Sequence, residues 1–160
     1  MPPIISVIGK SESGKTTLIE KLIPELKKRG YKIGTIKHAS HGFEIDRKGK
    51  DSWRHKEAGA DTVLVASPGK IAMLKDDNCE ALSCLEKYFP DMDLIITEGY
   101  KKENKPQIEV FRKTENEELF CLNRDNLVAC VTDAVIDLDV PKFGFDEINE
   151  LADFIEKKYL

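Results

Sequence analysis

No two of the four cysteines stand at the Cys-x-x-Cys spacing of a zinc ribbon or a redox motif; Cys79, Cys84, Cys121 and Cys130 are 5, 37 and 9 positions apart. That spacing gives no zinc-ribbon pattern, and a disulfide framework is not expected, because a chain of 160 residues has core enough without one. Reduced, partly buried thiols are the expectation. Positive charge is also short: 25 Lys and Arg face 29 Asp and Glu, a formal net charge of −4. That balance gives no general electrostatic grip on nucleic acid, so any anion must be met locally. Apolar runs are no longer than a strand, which excludes a signal h-region and a membrane span; the expected location is the cytoplasm. Repeats, low-complexity tracts and linkers are missing too, so residues 1–160 read as a single domain.

What is present fits a globular chain, with hydrophobic residues at 41% and charged residues at 34%, enough of the first for a core and of the second for a solvated surface. The run "IISVI" (4–8) reads as a strand buried on both faces. It leads into "GKSESGKTTL" and then a helix, on which Leu18, Ile19, Leu22, Ile23 and Leu26 recur at helical spacing before Gly30. Pro24 inside that helix predicts a bend. "YKIGTIKH" is a second strand, "HGFEIDRKGK" a charged loop and "DSWRHKEAGA" a short helix. "TVLVAS" and "KIAML" make a hairpin around Pro68 and Gly69, and "EALSCLEKYFP" is a helix stopped by Pro90. "DLIITEG", "PQIEVF" and "LVACVTD" are further strands, before a last helix with Asp146 as N-cap. The alternation predicts an α/β fold: a doubly wound, mainly parallel sheet of the phosphate-loop type, with helices on both faces and a β-hairpin.

Gly9, Gly14, Lys15 and Thr16 satisfy G-x-x-x-x-G-K-[ST]. Glycines let successive backbone N–H groups point inward at a phosphate, the helix N-terminus adds positive potential, the lysine reaches the terminal phosphates and the threonine hydroxyl completes a Mg²⁺ shell. Residues Gly9, Lys10, Ser11, Glu12, Ser13, Gly14, Lys15, Thr16 and Thr17 are therefore the expected cradle of a nucleoside triphosphate.

Mg²⁺ needs a second anchor, usually a carboxylate at a neighbouring strand end. Asp46, in the charged loop, and Glu98, at the end of "LIITE", compete for that place, and either could instead orient an attacking water. Lys37 and His38 suit a phosphate or a partner. His38 and His41 form H-x-x-H but have no third ligand at a suitable spacing, which weighs against a metal there. For the base there is no N-K-x-D; Asp133 in "VTD" is the candidate, a carboxylate able to accept from guanine N1–H and N2–H₂, with an ordinary turn as the competing reading.

The segments "GKSESGKTTL", "TIKHASHGFEIDRKGKDSWRHKEAGAD" and "LIITEGYK", in that order, closely resemble the molybdopterin-guanine dinucleotide biosynthesis protein B (MobB) family across nearly the whole chain. That resemblance implies a GTP-binding homodimer with weak Mg²⁺-dependent GTPase activity. Its partner would be the guanylyltransferase that attaches GMP to molybdopterin, and molybdopterin or its guanine dinucleotide is a possible ligand. It further implies phosphates on Gly9–Thr17, Mg²⁺ on Thr16 with Asp46 or Glu98, and the base near Asp133. Lys10 is similar in position to a lysine by which related dimeric phosphate-loop ATPases reach the partner's nucleotide. Two other classes stay open on the residues alone: an ATP-dependent kinase or ligase, and a metallochaperone GTPase, which lacks a Cys-rich or His-rich motif here.

Overall fold

A computed structural model describes residues 1–113, Leu119 and residues 125–160. Cys121 lies outside the described residues. The chain divides into two compact units, Met1–His38 with Leu85–Leu160, and Ala39–Cys84. The hairpin and a short helix belong to the second of these.

The larger unit is built on a six-stranded sheet: β1 (Ile4–Ile8), β2 (Ile33–Lys37), β5 (Leu94–Glu98), β6 (Gln107–Phe111), β7 (Leu127–Thr132) and β8 (Lys142–Phe143). Their order is β2-β5-β1-β6-β7-β8, and every neighbouring pair is parallel. All six C-terminal ends therefore reach the same edge. β1 is buried at all five positions, as are the first four residues of β5, which is why these two strands read as largely apolar runs; β6 is buried throughout as well, although it carries Gln107 and Glu109.

α1 (Lys15–Lys28) lays Leu18, Ile19, Leu22 and Leu26 on the sheet, and α4 (Ile148–Tyr159) does the same with Leu151, Ala152 and Ile155. Each fully buried side chain of this size contributes roughly 1.5–3 kcal/mol. α1 continues through Pro24, which sits on its exposed side. The two helices touch one another, and Arg29, at the C-terminal end of α1, joins them. Its Nη1 donates to Asp153 Oδ1 at 2.6 Å and Glu156 Oε2 at 2.8 Å, and its Nε to Glu25 Oε1 at 3.2 Å. The Tyr31 hydroxyl donates to Glu156 Oε1 at 2.7 Å.

Asp146 does not cap α4. Glu147 holds the N-cap position and turns its carboxylate back to Gly144 N–H at 2.7 Å, while Asp146 pairs with Lys21 at 3.0 Å. β8, only two residues long, is a strand that the sequence pattern does not show.

The smaller unit holds α2 (Asp51–Glu57) and the hairpin β3 (Thr62–Ser67) with β4 (Lys70–Lys75), after which the chain enters the short helix α3 (Leu82–Leu85). Register pairs Leu64 with Met73 and Ala66 with Ile71, so one face of the hairpin is apolar, and Leu64, Ile71 and Met73 are all exposed. Cys79 and Cys84 are joined by a disulfide, with Cα atoms 6.1 Å apart. This corrects the expectation of free thiols for that pair: a small unit with little buried core is where a covalent link adds most. Cys130 is free and fully buried, and burial, with Glu109 nearby, pushes its thiol up to about 12, which leaves it unreactive.

Candidate phosphate-binding site

β1 delivers the chain to the sheet edge at Ile8, and the next residue turns sharply. Gly9 has φ +144°, and a Cβ there would stand 2.4 Å from the Val110 carbonyl oxygen of β6. Only glycine lets the loop leave so close to its neighbouring strand. Glu12 at φ +61° and Gly14 at φ +101° add two more left-handed positions, the kind of backbone turn from which anion-binding concavities are made. Gly14 then serves as N-cap of α1, and Leu18 N–H donates to its carbonyl at 2.9 Å. Ser13 is buried and its Oγ has no partner among the described residues, a hydroxyl of the kind an anion in the loop would satisfy.

Lys15 donates to the Lys10 carbonyl, bridging the two ends of the loop. Burial lowers its ammonium pKa, Glu98 opposes that shift, and Lys37 adds to it. Thr16 Oγ1 is 3.0 Å from both Glu98 Oε1 and Glu98 Oε2. Lys37 Nζ lies 3.4 Å from Oε1 of the same carboxylate. These contacts follow from the sheet: β5 lies beside β1 and β2 beside β5, with Lys37 in register with Glu98.

His38 N–H donates to the Glu98 carbonyl at 3.0 Å, and its ring stands 5.0 Å from that of Tyr100. The fold thus brings together Gly9–Thr17, Lys37, His38 and Glu98. Among the described residues no group of three or more His, Cys, Asp or Glu side chains is close enough to hold a metal.

Asp133 follows β7 at the same sheet edge, exposed. The side chain that closes its turn is that of Thr132, whose Oγ1 accepts from Ala134 N–H at 3.0 Å. Asp46 belongs to the Ala39–Cys84 unit. Its Oδ1 accepts from Arg47 N–H at 2.8 Å and its Oδ2 is buried without a partner among the described residues; it lines a cavity of about 660 Å³ with Phe43, Lys48, Trp53, Lys56 and Met73.

Sequence reasoning missed Arg112 and Phe145. Arg112 follows β6, and its guanidinium carbon is 4.3 Å from the centroid of the Phe145 ring. A Cβ on Gly14 would lie 3.6 Å from that ring and 3.8 Å from Arg112 Nε. Only their places just past strand ends, beside a phosphate loop, could have signalled them.

A parallel α/β sheet with a glycine loop between its central strand and first helix, and a carboxylate on the loop's threonine, defines a phosphate-loop protein. Residues 4–133 match the family described as Molybdopterin guanine dinucleotide synthesis protein B, or MobB. The chain belongs to that family. It is 36% identical over 157 residues to the molybdopterin-guanine dinucleotide biosynthesis adapter protein of Haemophilus influenzae, with 96% of this chain and 88% of the relative covered. To the adapter protein of Escherichia coli it is 35% identical over 162 residues, covering 97% and 92%. The crystal structure of Bacillus subtilis MobB superposes with a TM-score of 0.81 at 28% identity, over 99% of this chain and 98% of the other.

Proposed function

We propose that this protein is a GTP-binding adapter for the synthesis of molybdopterin guanine dinucleotide, with a weak Mg²⁺-dependent GTPase activity. The observation that carries the reading is the loop from Gly9 to Thr17, whose Thr16 hydroxyl lies on the Glu98 carboxylate at 3.0 Å. The adapter role is supported by the relatives' names and by near full-length similarity to them.

The residues fit a triphosphate and its metal. The unpartnered Ser13 hydroxyl and the turned amides of the loop suit phosphate oxygens, and Lys15 would exchange the Lys10 carbonyl for them. Thr16 and Glu98 would hold Mg²⁺, which needs few protein ligands because water and phosphate supply the rest. Bound there, Mg²⁺ neutralises charge on the terminal phosphates. Glu98 is already engaged by Thr16 and Lys37, so it anchors rather than acts as a free base, in keeping with slow hydrolysis.

Asp133 would read guanine; its carboxylate is left over because Thr132 makes the turn's hydrogen bond. The cavity beside Asp46, with Phe43, Trp53, Lys48 and Lys56, suits a flat phosphorylated heterocycle such as molybdopterin. The exposed apolar face of the β3–β4 hairpin supports a homodimer, in which Lys10 would serve the partner's nucleotide, and a guanylyltransferase is the protein partner.

Titration of GTP and ATP, each with and without Mg²⁺, into the protein and its Lys15→Ala and Asp133→Ala variants tests the reading. Lys15→Ala is expected to weaken both nucleotides at least about tenfold, or about 1.4 kcal/mol, and Asp133→Ala to abolish a preference for GTP. Unchanged affinity in Lys15→Ala would sink it.

A further inference from the structure

The edge of the sheet that carries the phosphate loop also carries a pair of side chains with no part in phosphate or metal binding as described above. Arg112 is the first residue after β6, and Phe145 follows β8 by two positions. The guanidinium lies over the ring, 4.3 Å from its centroid, and both stand against Gly14 at the start of α1. Phe145 packs on the hydrophobic core, whereas Arg112 is exposed. The ring therefore positions the guanidinium, and the guanidinium's other face is turned away from the ring.

We infer that the Arg112–Phe145 stack is the surface on which the nucleoside end of the nucleotide docks, with the purine lying on the guanidinium plane. The inference rests on the reading of Gly9–Thr17 as a triphosphate cradle. Sheet order gives it direction. On one side of β1 stand β5 and β2, whose ends carry Glu98 and Lys37; on the other stand β6, β7 and β8, whose ends carry Arg112, Asp133 and Phe145.

A triphosphate whose terminal end meets the Thr16–Glu98 side sends its nucleoside the other way, over β6 and β7. Strands are spaced about 4.8 Å apart, so the end of β7 lies roughly 10 Å from that of β1, within the span of a nucleoside. A guanidinium held over an aromatic ring is preorganised, and guanidinium planes are a regular stacking surface for nucleobases. Stacking accepts any purine, which leaves discrimination to the neighbouring Asp133 and gives the chain a base site without N-K-x-D.

Calorimetric titration of the full-length protein with Mg-GTP, Mg-ATP and Mg-tripolyphosphate, the last having phosphates but no nucleoside, tests the assignment. The variants are Arg112→Met, Arg112→Lys and Phe145→Leu, the last keeping apolar packing so that its thermal melt stays near that of the parent. All three are expected to lose about tenfold in affinity for both nucleotides, in the range of one lost base stack, with tripolyphosphate binding unchanged. If tripolyphosphate affinity falls as much, or Arg112→Lys restores nucleotide binding, the guanidinium is a phosphate contact and the inference is overturned. Unchanged nucleotide affinity in Arg112→Met and Phe145→Leu overturns it as well. Failure of the parent protein to bind either GTP or tripolyphosphate removes the triphosphate reading, and this inference with it.

Discussion

Gly9 decides whether the loop can form at all. With φ at +144° and the Val110 carbonyl 2.4 Å from any added Cβ, even alanine must push β1 and β6 apart or distort the turn. Gly9→Ala is expected to lower stability by about 2–3 kcal/mol, a fall in Tm of about 5–10 °C by differential scanning calorimetry. Lys15 makes a different prediction, because burial has already moved its pKa down. Phosphate oxygens favour the charged ammonium, so a triphosphate raises that pKa again and binding must take up a proton as the pH approaches the lowered value. Titration at alkaline pH in buffers of different ionisation enthalpy reads this directly: proton uptake is expected for the parent protein and none for Lys15→Met.

Among the elements, α1 and α4 depend on Arg29, and the charges involved give that contact a pH dependence. The Tyr31 hydroxyl first, then Arg29, holds the Glu156 carboxyl below its ordinary range, and Arg29 does the same for Glu25. For a carboxylate depressed in the folded state, the stabilising contribution is present above the unfolded pKa, about 4.3 for Glu, and is lost as pH falls through the folded value. Glu156→Gln is therefore expected to flatten the decline of Tm with acid below about pH 4.3; an unchanged slope would count against it.

At this scale the sequence was most informative where a pattern and a constraint coincide. β1 and β5 were legible because strands buried on both faces are largely apolar runs, and α1 because its four buried residues share a face. β8 was not, since two residues carry no period, and the N-cap position of α4 falls on Glu147, one residue past Asp146. In the site, the motif residues and Glu98 could be read from local order, whereas the Arg112–Phe145 contact joins positions 33 apart and exists only through the sheet. The contact of Thr16 with Glu98 likewise needed β5 to be placed beside β1.

For the molecule as a whole, the division into two units assigns different sources of stability to each. Met1–His38 with Leu85–Leu160 has nearly all the large buried side chains, and Ala39–Cys84 has few, with a disulfide across six residues. By loop-closure entropy that link contributes roughly 2 kcal/mol. A reductant, or Cys79→Ser with Cys84→Ser, is expected to raise amide exchange in residues 39–84 while leaving β1, β5 and β6 as protected as before; equal loss of protection in both units would contradict this.

The sheet order also sets a timetable for the chain as it is made. β1 is synthesised first, but both its neighbours come late: Ile4 is in register with Ile95, and Ser6 with Gln107. At roughly 5–20 residues per second, the phosphate loop waits about 5–20 s for the strands that hold it open. The β3–β4 hairpin, whose partners are near in sequence, can close during that wait. A nascent chain that stops before β6 therefore carries the whole Gly9–Thr17 motif without both of the strands that flank β1 in the finished sheet.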